Sequence, residues 1–179
     1  MTQPPIDPDT KDWTWVLERP CPDCGFDASL VDLADLPRRL QGNAVAWASR
    51  LTDDTATERP SPGVWSPLEY ACHVRDVHRV FDERVRLMLE QDEPRFANWD
   101  QDATALDSDY ASQTPVTVAG ELAEAADAVG ERYAGVPDDA WQRRGLRSNG
   151  SEFTIDTLAR YHLHDVVHHA YDVDLENPA

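Results

Sequence analysis

Four stretches of this sequence repeat apolar residues at the three- and four-residue spacing of an amphipathic helix, and this pattern constrains the fold most. The clearest runs from Ser66 to Leu89, where a serine, a proline and a glutamate occupy the N-cap, N1 and N3 positions. The other three are expected over 35–51, over 115–134 and from Thr154 onwards. No convincing strand alternation separates them. The sequence therefore predicts an all-α protein built as a four-helix bundle.

Prolines divide the chain into an irregular N-terminal arm, residues 1–34, and the bundle, residues 35–179. Five prolines among the first 22 residues prevent a long helix in the arm. The arm also carries Trp13 and Trp15, which we expect to pack on the bundle because exposed tryptophans favour aggregation. In the bundle, the acidic segment 92–114 is predicted to be a long loop, of a length that often covers a site.

The charge of the chain excludes several classes of partner. There are 34 acidic and 16 basic residues, a net charge of −18, which repels nucleic acid and anionic membrane surfaces. No apolar run reaches the roughly 18 residues that span a bilayer, and the first residues do not have the pattern of a signal peptide. The odd cysteine count, three, favours a reducing compartment. We therefore expect a cytoplasmic monomer or homodimer that acts on a small-molecule substrate.

Histidines are concentrated in two of the predicted helices. His73 and His78 lie in the second helix, and His162, His164, His168 and His169 lie in the fourth. The four-residue spacing of His164 and His168 puts both imidazoles on one helical face, one turn apart, as a shared metal ion requires. His73 can join them from the second helix. Three neutral imidazoles leave an open position for water or for a substrate thiolate.

Two alternatives stay open for these histidines. Imidazoles near a helix C-terminus are also favoured by the helix dipole, so a purely structural role competes with metal binding. A helical wheel does not choose His164 and His168 over His162 and His169, because the apolar face of the fourth helix passes close to the second pair.

Two motifs resemble those of the DinB/YfiT-like metalloprotein superfamily. Residues 65–76, WSPLEYACHVRD, are similar to its second-helix signature, and residues 164–169, HDVVHH, are similar to its last-helix signature. The resemblance covers roughly residues 35–173. It implies an up-down-down-up four-helix bundle that holds a divalent metal through three side chains, with zinc as the first candidate and nickel as the second.

Carried over residue by residue, the resemblance implies His73, His164 and His168 as the metal ligands. The mycothiol-dependent maleylpyruvate isomerases are similar but have a glutamate at the position of His164, so we expect this chain in the three-histidine branch. The resemblance implies a metal-dependent transferase or isomerase that uses mycothiol or a similar thiol as cosubstrate, with hydrolysis as a further reaction type. The alternative is a metal-binding stress-response or ligand-binding module without turnover.

Supporting residues can be proposed around this site. Asp76 lies one turn from the second-helix histidine and is expected to accept a proton from an imidazole N–H, whereas Asp165 is the weaker candidate because it points about 100° away from its neighbour. Arg75, Arg79 and Arg160 are candidates for holding an anionic substrate, although arginine on a helix is more often a surface residue. No serine or cysteine nucleophile with a base is legible, so the catalytic residues stay unassigned.

The arm carries a single Cys-x-x-Cys-Gly knuckle, formed by Cys21 and Cys24. Three interpretations are open. The pair can be an inert or partly oxidised turn, a second metal site completed by histidine or aspartate, or a redox pair. A redox pair would be expected to open a helix after a strand, and no strand is evident here.

Overall fold

Four long helices form the body of the protein, as the sequence predicts. The computed structural model describes Ile6 and residues 11–175, so the expectations for residues 1–5, 7–10 and 176–179 lie outside the described residues. The helices are α1 (Leu36–Arg50), α2 (Pro67–Glu90), the short α3 (Gln101–Asp107), α4 (Pro115–Ala134) and α5 (Ile155–Asp172). The four long ones contact each other in the cyclic order α1, α4, α2, α5. Their up-down-down-up direction stays a prediction.

Local capping explains why the helix starts can be predicted from the sequence. Ser66 accepts the Glu69 amide and the Glu69 carboxylate accepts the Ser66 amide, so α2 begins with a complete capping box. Thr154 and Thr157 form a similar reciprocal pair at the start of α5. These bonds satisfy amide groups that the first helical turn leaves without partners.

A small sheet corrects the all-α prediction to a mostly helical fold. Its strands are β1 (Arg95–Phe96), β2 (Arg144–Arg147) and β3 (Glu152–Thr154). β1 pairs with β2 in parallel, and β2 pairs with β3 as an antiparallel hairpin. Strands of two to four residues are too short to show the alternation by which strands are read from a sequence. The segment 92–114, which the sequence predicts to be a loop, contains both β1 and α3.

The N-terminal segment, defined here as residues 11–35, packs against the bundle through short 3₁₀ turns that contact α5. Val16 and Cys21 are buried in the core, and Trp13 and Trp15 pack against it, which confirms the packing expected for the tryptophans. The α5 residue Arg160 donates to two backbone carbonyls of this segment. The exact domain boundary stays a prediction.

Among the described residues, no helix has the length and apolar character that crossing a lipid bilayer would require.

Candidate metal centres

The C-terminal half of α5 presents two pairs of candidate ligands, each spaced four residues apart. One pair is His164 and His168, and the other is Asp165 and His169. Because successive residues are turned by about 100° around a helix, the pairs lie on adjacent stripes. The first stripe faces the N-terminal segment, where the Trp13 ring lies 5.6 Å and 4.9 Å from the two imidazole rings. The second stripe faces α2, so a single helix serves two separate clusters.

The first cluster, called the cleft cluster, consists of His73 from α2 and of Asp165 and His169 from α5. One donor atom from each of the three lies within 4.8 Å of the others. Nε2 of His73 and Nε2 of His169 each lie 3.5 Å from Oδ1 of Asp165. The two imidazole rings are nearly perpendicular, at 88°, with centroids 4.6 Å apart. Three donors that converge in this way can share one cation.

The burial of the cleft cluster fits a bound cation. His73 is fully buried, and neither of its ring nitrogens has a hydrogen-bond partner among the described residues. Oδ1 of Asp165 is likewise buried without a hydrogen-bond partner in this part of the chain. Leaving a buried polar atom unsatisfied costs about 1–3 kcal/mol. Two imidazoles and one carboxylate are a donor set that zinc and similar divalent ions accept.

The protonation states of the cleft cluster also suit a metal ligand set. Burial lowers the pKa of His73, so its imidazole is neutral near pH 7 and keeps a free lone pair. Burial opposes ionisation of the Asp165 carboxyl, but the imidazoles of His73 and His169 outweigh it and hold the pKa of Asp165 well below its usual range. The cluster therefore offers a neutral imidazole and a carboxylate without a prior proton loss.

A second carboxylate, that of Asp172, orients the His169 imidazole of the cleft cluster. Nδ1 of His169 lies 2.9 Å from Oδ2 of Asp172. A carboxylate can only accept a hydrogen bond, so this contact assigns the proton to Nδ1 and the lone pair, which a metal needs, to Nε2 of His169. Oδ1 of Asp172 lies 3.9 Å from Nε2 of His168, so the same side chain also approaches the other stripe of α5.

Replacing Asp172 with alanine is expected to weaken metal binding at the cleft cluster by roughly 10–100-fold, because His169 loses the group that fixes its tautomer and ring orientation. Competition with a chromophoric chelator measures this affinity. Asp127→Ala is the matched control, since Asp127 lies on α4 and bonds only to Gln41 among the contacts described for it. Equal affinities in wild type and Asp172→Ala would contradict the assignment.

The second cluster, called the cysteine cluster, consists of Cys21, Cys24, His164 and His168. Their four donor atoms lie within 4.8 Å of one another, and Sγ of Cys21 is 3.7 Å from Nδ1 of His168. Both cysteines are free thiols. Burial raises the pKa of Cys24 to about 11 and lowers the pKa of His164 to about 4. The cluster thus joins the Cys-x-x-Cys knuckle of the N-terminal segment to the outer stripe of α5.

The structure divides the ligand set implied by the resemblance between these two clusters. His73 lies with Asp165 and His169, whereas His164 and His168 lie with the cysteines. The reason is the rotation of α5 about its axis, which turns the stripe of Asp165 and His169 towards α2.

The remaining histidines form a buried pair elsewhere in the bundle. Nδ1 of His78 lies 3.0 Å from Nε2 of His162, and the Tyr133 hydroxyl lies 3.1 Å from Nδ1 of His162. Burial lowers the pKa of His78 to about 4 and lowers that of His162 as well, so both imidazoles are neutral. Of the alternative pair that the helical wheel left open, His169 therefore joins a candidate metal cluster and His162 does not.

The predicted supporting residues are engaged elsewhere. Asp76 accepts from the Tyr110 hydroxyl at 2.6 Å and from Arg75 Nε at 2.9 Å, rather than from an imidazole. Arg75, Arg79 and Arg160 each donate to a carboxylate on their own helix. Asp172 instead bonds to an imidazole of the cleft cluster, and Arg84 and Arg147, described below, line the cleft.

Sequence reasoning missed Asp165 and His169 as a pair, although a usable signal was present. Their four-residue spacing is the same as that of His164 and His168, one position further along the chain. A second signal was the match of Cys-x2-Cys and His-x3-His to the two halves of a Cys₂His₂ ligand set. Together, the two signals would have suggested that one pair of α5 side chains groups with His73 of α2 and the other pair groups with the Cys-x-x-Cys knuckle.

A cleft of about 920 Å³ opens beside the clusters. Aromatic side chains surround the cleft cluster: the Trp99 ring stacks on His73 at 5.3 Å and 9°, and the Trp65 ring lies 5.3 Å from it at 41°. Trp65, Trp99, Asp165 and His169 all line the cleft. Trp99 belongs to the segment 92–114, so this segment covers the cluster.

These observations define a class of protein: a helical bundle with a cluster of histidines and a carboxylate between two of its helices. The family model described as the DinB superfamily matches residues 38–173, and the chain belongs to this superfamily. The resemblance seen in the sequence is thereby confirmed.

Comparison with solved structures identifies the same fold in YfiT from Bacillus subtilis, described as a probable metal-dependent hydrolase with an unusual four-helix bundle topology. The match has a TM-score of 0.64 and 19% sequence identity, and it covers 79% of this chain and 80% of YfiT. No curated protein matches the chain.

Proposed function

We propose that the protein is a metal-dependent enzyme acting on a small molecule, with a divalent cation held by His73, Asp165 and His169. The observation that carries this proposal is the convergence of three donor atoms within 4.8 Å beside a cleft, with buried atoms of His73 and Asp165 that have no hydrogen-bond partner among the described residues. Three protein ligands leave coordination positions open, as in catalytic rather than structural zinc sites. Zinc is the first candidate for the cation and nickel the second.

The cation would supply Lewis acidity towards a water molecule or a thiol that enters the cleft. The protein's own residues prepare the place for it. Asp172 holds the proton on Nδ1 of His169, and the Asp165 carboxylate balances part of the cation's charge. The rings of Trp65 and Trp99 both lie 5.3 Å from the His73 ring, which is fully buried.

The proposed reaction is transfer or isomerisation with a low-molecular-weight thiol such as mycothiol. Membership in the superfamily supports it, together with the poor nucleophilicity of two of the chain's three thiols. Burial raises the pKa of Cys72 to about 12 and that of Cys24 to about 11, so neither supplies a thiolate at neutral pH on its own. The third thiol, Cys21, is only 1% exposed, so a thiol reaction in the cleft would need an external cosubstrate. Hydrolysis is the second candidate, because the same fold in YfiT is described as that of a probable hydrolase.

Two buried arginines favour an anionic substrate. Arg84 is 5% exposed and Arg147 is 9% exposed, and both line the cleft. Within the described part of this acidic chain, neither forms an ion pair with a carboxylate; Arg84 donates to the Ala97 carbonyl, and Arg147 donates to Asn149 and Ser151. Burial lowers the pKa of Arg84 to about 10, which still leaves it cationic. A buried cation without an ion-pair partner is costly, so an anionic group in the cleft would stabilise the two arginines.

Zinc- or nickel-loaded protein tests the enzyme proposal. It should turn over members of a panel that combines low-molecular-weight thiols with electrophiles, or esters and amides with water, and a chelator should abolish that turnover. Turnover that survives complete removal of the metal would overturn the proposal. Binding of panel members without any turnover would favour the stress-response or ligand-binding module instead.

Replacing Arg147 with methionine is expected to raise KM for a carboxylate-bearing substrate by about 10-fold or more, because a charged hydrogen bond is worth about 1.5–3 kcal/mol. KM for the neutral amide of the same substrate should stay unchanged. Arg144→Met is the matched control, since Arg144 lies on the same strand but is exposed and pairs with Glu93 and Glu152. A rise in KM that is equal for acid and amide would contradict the anionic-substrate proposal.

A further inference from the structure

We propose that Cys21, Cys24, His164 and His168 bind a second, structural zinc ion that fastens the N-terminal segment to α5. The four donor atoms lie within 4.8 Å of one another, and Sγ of Cys21 lies 3.7 Å from Nδ1 of His168. A tetrahedral zinc ion with bonds of about 2.3 Å to sulfur and about 2.0–2.1 Å to nitrogen has a sulfur–nitrogen edge of about 3.6 Å. The edge between Cys21 and His168 therefore already has nearly the length expected in an occupied site.

The donor types and their spacing select zinc. Two cysteines separated by two residues and two histidines separated by three match the two halves of a Cys₂His₂ set. Thiolate and imidazole together favour zinc over the hard cations that oxygen ligands hold. Four protein ligands close a tetrahedral shell, whereas the three of the cleft cluster do not, so the two sites differ in kind.

The local structure holds these donors in place before any metal arrives. The Gly25 amide donates to the Cys21 carbonyl at 2.9 Å, and the Cys21 amide donates to the Phe26 carbonyl at 2.8 Å, which bends the knuckle into a tight turn. Gly25 has a φ of +74°, a left-handed conformation that glycine adopts without a steric cost. The preformed turn directs both thiols to the same point on α5.

In the cysteine cluster, the His164 imidazole is closely packed but lacks a hydrogen bond at one of its nitrogens. The Phe26 ring lies 5.4 Å from the His164 ring, and the Trp13 ring lies 5.6 Å from it, so the N-terminal segment encloses this imidazole. Nε2 of His164 is buried and has no hydrogen-bond partner among the described residues. A metal ion at the cluster gives the His164 imidazole a partner that the surrounding protein does not supply.

Burial also separates this proposal from a redox role for the knuckle. A redox-active pair needs an accessible, nucleophilic thiolate, and Cys21 is only 1% exposed. The core position of Cys21 instead resembles that of a ligand in a closed structural site. The zinc thereby clamps a segment with little regular structure of its own onto the helix that also carries Asp165 and His169.

Cobalt(II) substitution tests the proposal on the whole chain. The wild-type protein should bind two Co²⁺ per chain and develop a thiolate-to-cobalt charge-transfer band, because the cysteine cluster contains sulfur and the cleft cluster does not. The double variant Cys21→Ser/Cys24→Ser should lose the band and one equivalent of metal. Cys72→Ser is the matched control, since Cys72 lies beside Gln113 and outside the cluster, and it should keep the band and both equivalents.

The outcomes for the two metal sites are distinguishable. Asp165→Ala should remove the cleft metal and leave the charge-transfer band intact, so failure of the cleft site does not imitate failure of this one. Zinc X-ray absorption of the wild type gives a readout that needs no variant, because sulfur neighbours at about 2.3 Å are expected. A saturated, reduced wild-type protein without sulfur around its metal would overturn the proposal, as would a cysteine double variant that keeps both equivalents and the band.

Discussion

Replacing Asp165 with alanine is expected to remove one metal equivalent per chain and, with it, the metal-dependent turnover of the protein. Asp165 supplies the carboxylate that lies 3.5 Å from both imidazoles of the cleft cluster, so its loss leaves two neutral ligands. The fall in metal affinity should exceed the ~10–100-fold that loss of an outer hydrogen-bond partner costs. Metal analysis after dialysis against a weak chelator measures it. Asp139→Ala removes a similar carboxylate from an exposed loop and serves as the control.

The same experiment decides between two ligand sets. The resemblance to the superfamily implies His73, His164 and His168, and the cleft geometry favours His73, Asp165 and His169. If the first set holds the metal that supports turnover, Asp165→Ala would keep both its metal and its activity. That result would contradict the assignment of the cleft cluster.

Replacing Arg59 with alanine is expected to destabilise the fold by about 3–5 kcal/mol, the cost of stranding one partner of a buried ion pair. Arg59 Nε donates to Oε2 of Glu69 at 2.9 Å, and a second guanidinium nitrogen pairs with Oε1. The Glu69 side chain is 3% exposed, so without Arg59 its charge stays buried at the start of α2. Urea unfolding of the wild type and of the variant measures the loss.

A partly exposed arginine on α2, the helix that carries Glu69, provides the control for this prediction. Arg86 pairs with Glu83 and Glu90 on the surface of α2, where solvent screens the interaction. Arg86→Ala should therefore destabilise the protein far less than Arg59→Ala. Equal losses of unfolding free energy in the two variants would show that burial does not increase the contribution of the Arg59–Glu69 pair to stability.

The pH dependence of the Arg59 effect follows from Glu69. Burial opposes ionisation of Glu69, but its hydrogen bonds with Arg59 and Ser66 outweigh it and keep its pKa below the ordinary value of 4.5. A carboxyl with a lowered folded-state pKa contributes stability that is fully present above 4.5 and is lost as pH falls through the folded-state value. The stability gap between the wild type and Arg59→Ala should therefore narrow in acid. A gap that widens below pH 4.5 would contradict this account.

The sequence by itself determined the long helices, because their signals are local. A capping box such as that of Ser66 and Glu69, and an apolar stripe repeated every three or four residues, act over a single turn or a single helix. The bounds of α2 and α4 therefore agree with the predicted ones to within a residue. The sequence also suggested His73, His164 and His168, together with the Cys21 and Cys24 knuckle, as candidate metal ligands, since residue type is enough to suggest metal chemistry.

Tertiary structure alone decided how those donors are grouped. A shift of one residue on α5 turns a side chain by about 100°, so the rotation of the helix against α2 selects Asp165 and His169 for one cluster and leaves His164 and His168 for the other. The short strands also depend on tertiary structure, because β1 and β2 form by pairing between distant segments and have no local sequence pattern. Contacts between residues far apart in the chain carry no local signal, and both clusters are built from such contacts.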